Sequence, residues 1–234
     1  MYFPWAGMLE QIQFADVFVH YDDVQFSKGS FTNRVQVKMP DGTTRWMTIP
    51  IKALSLGQKI DQVQIKEPST WLDGHMSLLK RSFETAPFRS DALGLAEAVL
   101  SQKYSTLAHL SRTSMLALAN YFGIMRTTRF VDSKSMDIEG RGSDRVYEIV
   151  KYLGGDCYIT GHGARRYLKN EMFEANGVEV RYMSYELKPY SQGHGTFTPY
   201  VTALDLVAHI GRAGVEYMQS KTVNWKELEN GSHS

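Results

Sequence analysis

A chain of 234 residues is longer than one small domain needs and shorter than two large ones take, so one α/β body with insertions is expected. Its 26 basic and 25 acidic residues leave a formal charge of +1, which weighs against nucleic acid as an obligate partner but leaves room for a local phosphate pocket. One cysteine, Cys157, permits neither a disulfide framework nor a multi-cysteine zinc site and fits a reducing compartment. The opening Met-Tyr-Phe-Pro-Trp-Ala-Gly lacks the charged and apolar regions of a signal peptide, and no stretch reaches the length of a membrane span. A cytoplasmic protein without a membrane partner is the expectation.

In chain order, Met8, Leu9, Ile12 and Phe14 suit a short helix, and Val17-Phe18-Val19 reads as a buried strand. The polar stretch from Asp22 to Ser30 then falls at the strand's carboxyl end, where open α/β sheets bind ligands. Arg34 to Met39 and Arg45 to Ile51 flank Pro40-Asp41-Gly42, which predicts a β-hairpin. Val63-Gln64-Ile65 alternates weakly, and Pro68-Ser69 starts a helix carrying Leu72, Met76, Leu79 and Phe83. Two packed helices are expected over residues 91–122, ending at Gly123.

Beyond Gly123 the pattern is strand at Arg129 to Asp132, helix from Ser143 to Leu153, strand at Cys157 to Ile159, helix from Leu168 to Ala175 and strand at Val178 to Tyr182. That alternation predicts a Rossmann-like, mostly parallel sheet with crossover helices. A closing helical segment runs from Thr202 to Met218, and residues after about 222 read as a polar, frayed tail. The expected organisation is a single α/β domain over 1–222, with a hairpin at about 33–51, a helical insertion at about 69–123 and a polar tail at 223–234.

Three segments carry chemistry. In Asp22-Asp23-Val24-Gln25, followed by Lys28, Asn33 and Arg34, paired carboxylates can bind a cation, hold a sugar hydroxyl or supply a base, and a solvated loop with a turn-forming Asp explains them as well. Alternation lets only one of the two face a pocket directly. In Thr160-Gly161-His162-Gly163, followed by Tyr167, bare amides and a histidine at a sheet edge suit phosphate or carboxylate, and a capping histidine fits equally. The loop from Pro189 to Pro199 carries Tyr190, Gln192, His194 and Phe197 and suits a substrate lid or an anchored connection. Thr202 reads as an N-cap with Asp205 as its first-turn acid, a structural explanation of that pair. The seven histidines are scattered with no pair at metal spacing, so no metal site is expected.

Tyr2-Phe3-Pro4-Trp5-Ala6-Gly7, the block from Ala15 to Phe26 with Tyr21-Asp22-Asp23-Val24-Gln25 at its heart, and Asn33-Arg34 resemble the opening of WbqC-like proteins. Arg145 to Leu153, Tyr158-Ile159-Thr160-Gly161, Tyr167, Phe173, Gly177, Tyr190, Gln192, Phe197-Thr198-Pro199 and Asp205 extend the similarity across nearly the whole chain. Members usually begin with an apolar strand ending in Gln-Pro just before the Tyr-Phe-Pro-Trp motif. Met1 stands where that strand should finish, so either the start is assigned late or the family's first strand is missing; because its loss would remove much buried apolar surface, a late-assigned start is the expectation. A looser similarity links the chain to nucleotidylyltransferase-type α/β folds, but Trp5 to Met8 stand in place of their histidine pair.

The resemblance implies a place in O-antigen or related surface-polysaccharide assembly and a glycine transferase role, acylating an amino sugar or nucleotide sugar. On that reading Asp22 or Asp23 is the base or amine anchor, His162 the alternate base, and Gln25, Lys28, Asn33, Arg34, Gly161, Tyr167, Tyr190 and Gln192 are substrate contacts. The cofactor, the oligomeric state and the glycyl donor stay open; free glycine with ATP, a thioester and a charged tRNA all remain candidates, and the near-neutral charge weighs against the last. The alternatives are nucleotidylyl transfer on a degenerate nucleotidylyltransferase-like fold and a non-catalytic sugar-binding protein.

Overall fold

The computed structural model describes residues 1–125 and 127–230. The chain divides into two compact units. The first comprises Met1–Leu9, Asp22–Thr127 and Leu187–Met218; the second comprises Glu10–Tyr21, Thr128–Glu186 and Gln219–Ser234, of which 231–234 lie outside the described residues. Each unit is stitched from three separated stretches, so no linker-like composition marks the boundary.

In the first unit, β2 (Arg34–Lys38) and β3 (Thr44–Thr48) form the expected antiparallel hairpin in the register Arg34 with Thr48 through Lys38 with Thr44. Its turn holds Gly42 at φ +80°, a left-handed conformation that glycine adopts without strain, and the Asp41 carboxylate accepts from the Thr43 amide. Val35, Val37 and Met47 point to the buried side. Helix α2 (Leu72–Ser82) packs against β2, offering Met76 and Leu79, while Ser82 donates its hydroxyl to the Lys38 carbonyl.

Helices α3 (Arg89–Leu100), α4 (Leu107–Tyr121) and α7 (Ala203–Ile210) complete this unit, with α3 packed on α2, α4 and α7. Thr106 caps α4 and Thr202 caps α7, as its position suggested. Six consecutive residues of α7, Ala203 to Ala208, are buried, so Asp205 enters the core inside an otherwise apolar turn. The weak Val63 to Ile65 run makes only isolated bridges, Ile51 with Ile65 and Gln64 with Thr106.

The second unit holds β1 (Val17–His20) parallel to β4 (Arg129–Asp132), and a separate ladder of β5 (Cys157–Thr160) parallel to β6 (Glu179–Ser184). Helices α5 (Gly142–Tyr152) and α6 (Asn170–Ala175) lie between the strands in sequence, as the alternation predicts. The sheet differs from expectation: β4 and β5 are not partners, so the parallel pairs stand in two small ladders among the described residues. The fold is mixed α/β with small parallel and antiparallel sheets.

The segment expected to fray also differs. β7 (Lys221–Asn224) pairs antiparallel with β6, and α8 (Trp225–Asn230) follows. Trp225 is the cause: it is buried with Val180, Tyr182 and Phe173, while Val223 and Leu228 pack against the same cluster. Three well-spaced apolar side chains secure a segment that is polar in bulk composition. Helix α1 (Ala6–Gln13) begins in the first unit and ends in the second. No helix among the described residues is long and apolar enough to cross a membrane.

Candidate functional site

The first unit gathers a buried polar cluster from β2, the 189–199 loop and α7. Asp205 is 1% exposed and accepts a hydrogen bond from the Tyr190 hydroxyl at 2.8 Å. One turn later, His209 Nδ1 lies 2.9 Å from the Asp205 carbonyl and 3.5 Å from its carboxylate. Both oxygens can only accept, so Nδ1 carries a proton, and in the neutral ring Nε2 keeps its lone pair. Burial alone would lower the His209 pKa, but hydrogen bonding and proximity to Asp205 prevail and raise it above the usual histidine value.

Nε2 is directed toward Gly193. A Cβ built on Gly193 would sit 3.3 Å from Nε2 and 3.8 Å from Thr85 Oγ1, and the residue adopts φ +78°. Glycine is required there for both reasons, and Nε2 lies against its bare, exposed backbone.

Lys38 is 3% exposed although it belongs to the outer row of the hairpin. Its ammonium donates to Gln192 Oε1 at 3.1 Å and to the Thr196 carbonyl at 2.6 Å, leaving a third donor outside these bonds. Burial lowers its pKa and the Asp205 charge partly restores it. Gln192 fastens the loop by accepting from the Thr198 amide at 2.8 Å and donating to the Thr198 carbonyl and the Tyr190 hydroxyl. Of the two readings of this segment, the bonding matches an anchored connection. Burial and the neighbouring Asp205 charge push the Tyr190 hydroxyl pKa well up, so it remains a donor at neutral pH.

The expected site residues divide between the units. In the first, Asp22 is ion-paired with Arg112 Nε, Asp23 is buried, Gln25 bridges to Lys59, and Lys28 is exposed. Asn33 donates to the Ile49 carbonyl while its Oδ1 is buried without a partner. Arg34 stacks 4.0 Å from the Trp46 ring centroid. Tyr190 and Gln192 belong to the cluster just described.

In the second unit, His162 Nε2 donates to the Met183 carbonyl at 2.6 Å. A Cβ on Gly161 would meet the Tyr185 hydroxyl at 3.1 Å and Gln11 Nε2 at 3.3 Å, which explains that glycine by packing. Tyr167 is about half exposed. Burial pushes the Cys157 thiol up, the opposite of what a thiolate nucleophile needs. A cavity of about 220 Å³ beside Trp225 is rimmed by Glu174 and Glu179, both already paired with Lys226 and Arg181.

Sequence reasoning missed Lys38 and His209 and gave Asp205 only a helix-end role. The legible signal was Asp205 and His209 at i and i+4 within the apolar run Ala203 to Ile210, two polar side chains on one face of a core helix. The model of the WbqC-like protein family matches residues 1–217. The chain belongs to the WbqC-like family. This WbqC-like chain is also 28% identical over 221 residues to the uncharacterized protein Rv1507c of Mycobacterium tuberculosis, covering 93% of the one and 94% of the other. No solved structure matches it.

Proposed function

We propose that the protein transfers an acyl group, above all glycyl, to the amine of a sugar carried on a nucleotide or lipid, as a step in bacterial surface-polysaccharide assembly. Family membership supports the setting. The observation that carries the chemistry is the Asp205-oriented His209, whose Nε2, unprotonated in the neutral ring, faces the Gly193 turn of the same loop that holds the buried Lys38 ammonium through Gln192.

In this reaction the acceptor amine attacks the donor carbonyl carbon while His209 Nε2 takes the amine proton. Asp205 holds the imidazole in the required tautomer and stabilises the imidazolium that forms. The remaining Lys38 N–H and its positive charge meet the oxyanion of the tetrahedral intermediate. Collapse of that intermediate expels the donor's leaving group, which recovers the proton from His209. Asp22, tied to Arg112, and His162, tied to the Met183 carbonyl, are assigned to holding the chain in place. Asp23, Gln25, Lys28, Asn33 and Arg34 are assigned to acceptor binding. The same reading takes the β1–β4 and β5–β6 ladders as pieces of a Rossmann-like arrangement, supported by their parallel pairing.

The test is mass spectrometry of amino-sugar nucleotides incubated with the protein and each donor in turn: glycine with ATP, a glycyl thioester and glycyl-tRNA. An N-glycylated sugar from one of them is expected. Unmodified sugar with every donor would refute the assignment.

A further inference from the structure

Strand alternation and the register of the hairpin place Arg34, Gln36 and Lys38 in one row on its outer face, opposite Thr48, Trp46 and Thr44. Exposure along the row is graded. Lys38 is covered by Gln192 and Thr196, Gln36 and Arg34 are half-buried, and Trp46 beside them is 42% exposed. Phe31, 41% exposed, lies 5.6 Å from Trp46 between ring centroids. Two large aromatic rings are thus left in contact with solvent and with each other beside a row whose Lys38 end is closed.

Arg34 is held in an unusual state. Its guanidinium rests on the Trp46 ring, its Nε is buried with no hydrogen-bond partner, and no carboxylate pairs with it among the described residues. A structural arginine at the edge of a core normally satisfies its donors. Stacking fixes the guanidinium plane without using its N–H groups; the buried Nε is out of a ligand's reach, so the phosphate is taken to meet the two Nη nitrogens. Lys28, exposed in the preceding loop, adds positive charge to the same part of the chain.

We propose that this outer face binds a nucleoside diphosphate, with the base on Trp46 and Phe31 and the diphosphate on Arg34. The inference deepens the transfer reading and rests on it in one respect: the nucleotide is taken to carry the acceptor sugar. Arg34 and Lys38 are four strand residues apart, roughly 13 Å, so a sugar attached to a diphosphate on Arg34 extends along Gln36 toward Lys38 and the His209 cluster. A polyprenyl diphosphate shares the anionic group, but the paired aromatic rings favour a planar base.

Isothermal titration calorimetry of the full chain with UDP, GDP, inorganic pyrophosphate and geranyl diphosphate tests this. At least one nucleoside diphosphate is expected to bind tenfold or more tighter than pyrophosphate or geranyl diphosphate. Arg34→Gln is expected to weaken it at least tenfold, and Trp46→Leu to erase its advantage over pyrophosphate. Both positions are partly exposed, so unchanged circular dichroism is expected; Phe31→Ala, expected to weaken nucleotide but not pyrophosphate binding, repeats the test at a third position. Absence of nucleoside diphosphate binding, equal affinity for geranyl diphosphate, or affinities unmoved in Arg34→Gln and Trp46→Leu would overturn the proposal. Nucleotide binding without sugar acylation would sink the transfer reading alone, and acylation without nucleotide binding would sink this one alone.

Discussion

His209 and Asp205 make the most specific demands at the residue scale. As a base His209 works only when neutral, and its pKa lies above the usual histidine value, so kcat/KM is expected to rise with pH through a midpoint above about 6.5. Asp205→Asn removes the carboxylate that raises this pKa and orients the ring; the midpoint should move down and the rate fall by about 10²-fold or more. An unmoved midpoint would detach Asp205 from the chemistry. The stability sign is the reverse of the activity sign. A raised folded-state pKa contributes stability fully present below the unfolded value and lost as pH rises through the folded one. Gly193→Val places a side chain against Nε2 at a positive φ; a tenfold or larger loss of kcat/KM with unchanged substrate-free circular dichroism is expected. Retained activity would mean that the amine does not approach from that side.

At the scale of elements, β3 and α2 are joined by His75, which donates from Nε2 to the Thr48 carbonyl and accepts at Nδ1 from the Tyr2 hydroxyl. Protonation would abolish that acceptor. Burial is the main reason its pKa is lowered to about 4. The depressed value means that stability present above about 6.5 is lost as pH falls to about 4, on the order of 3 kcal/mol. Denaturant unfolding at pH 7 and pH 4 should show this loss in the native chain and much less of it in His75→Gln; equal losses would contradict it. The hairpin was legible because Pro40-Asp41-Gly42 separates two alternating runs, and most helices because their apolar spacing is local. The closing β7–α8 segment was not legible, since Val223, Trp225 and Leu228 are scattered among polar residues and acquire meaning only against Val180 and Phe173. Trp225→Ala is expected to cost about 3–5 kcal/mol, measured by chemical denaturation.

For the whole molecule, family membership was legible from motifs running nearly end to end, while the near-neutral charge only weighed against an obligate nucleic-acid partner. The buried cluster was not legible, because Lys38 and Gln192 are 154 residues apart and nothing in a local pattern tells a charged strand residue that a distant loop will cover it. Asp205 was obscured by a good structural explanation: Thr202 does cap the helix, and the carboxylate three residues on serves a second purpose. A charge of +1 supplies no long-range steering, so kcat/KM for an anionic sugar nucleotide is expected to drop only a few-fold from low to physiological salt. A steep dependence would indicate a polyanionic partner. The most direct measurement compares incorporation of radiolabelled glycine into an amino-sugar nucleotide by the native chain and by His209→Asn at matched concentration. Incorporation by the native chain and a loss of about 10²-fold or more in the variant are expected; no incorporation by the native chain, or equal incorporation by both, would contradict His209 as the base of an acyl transfer.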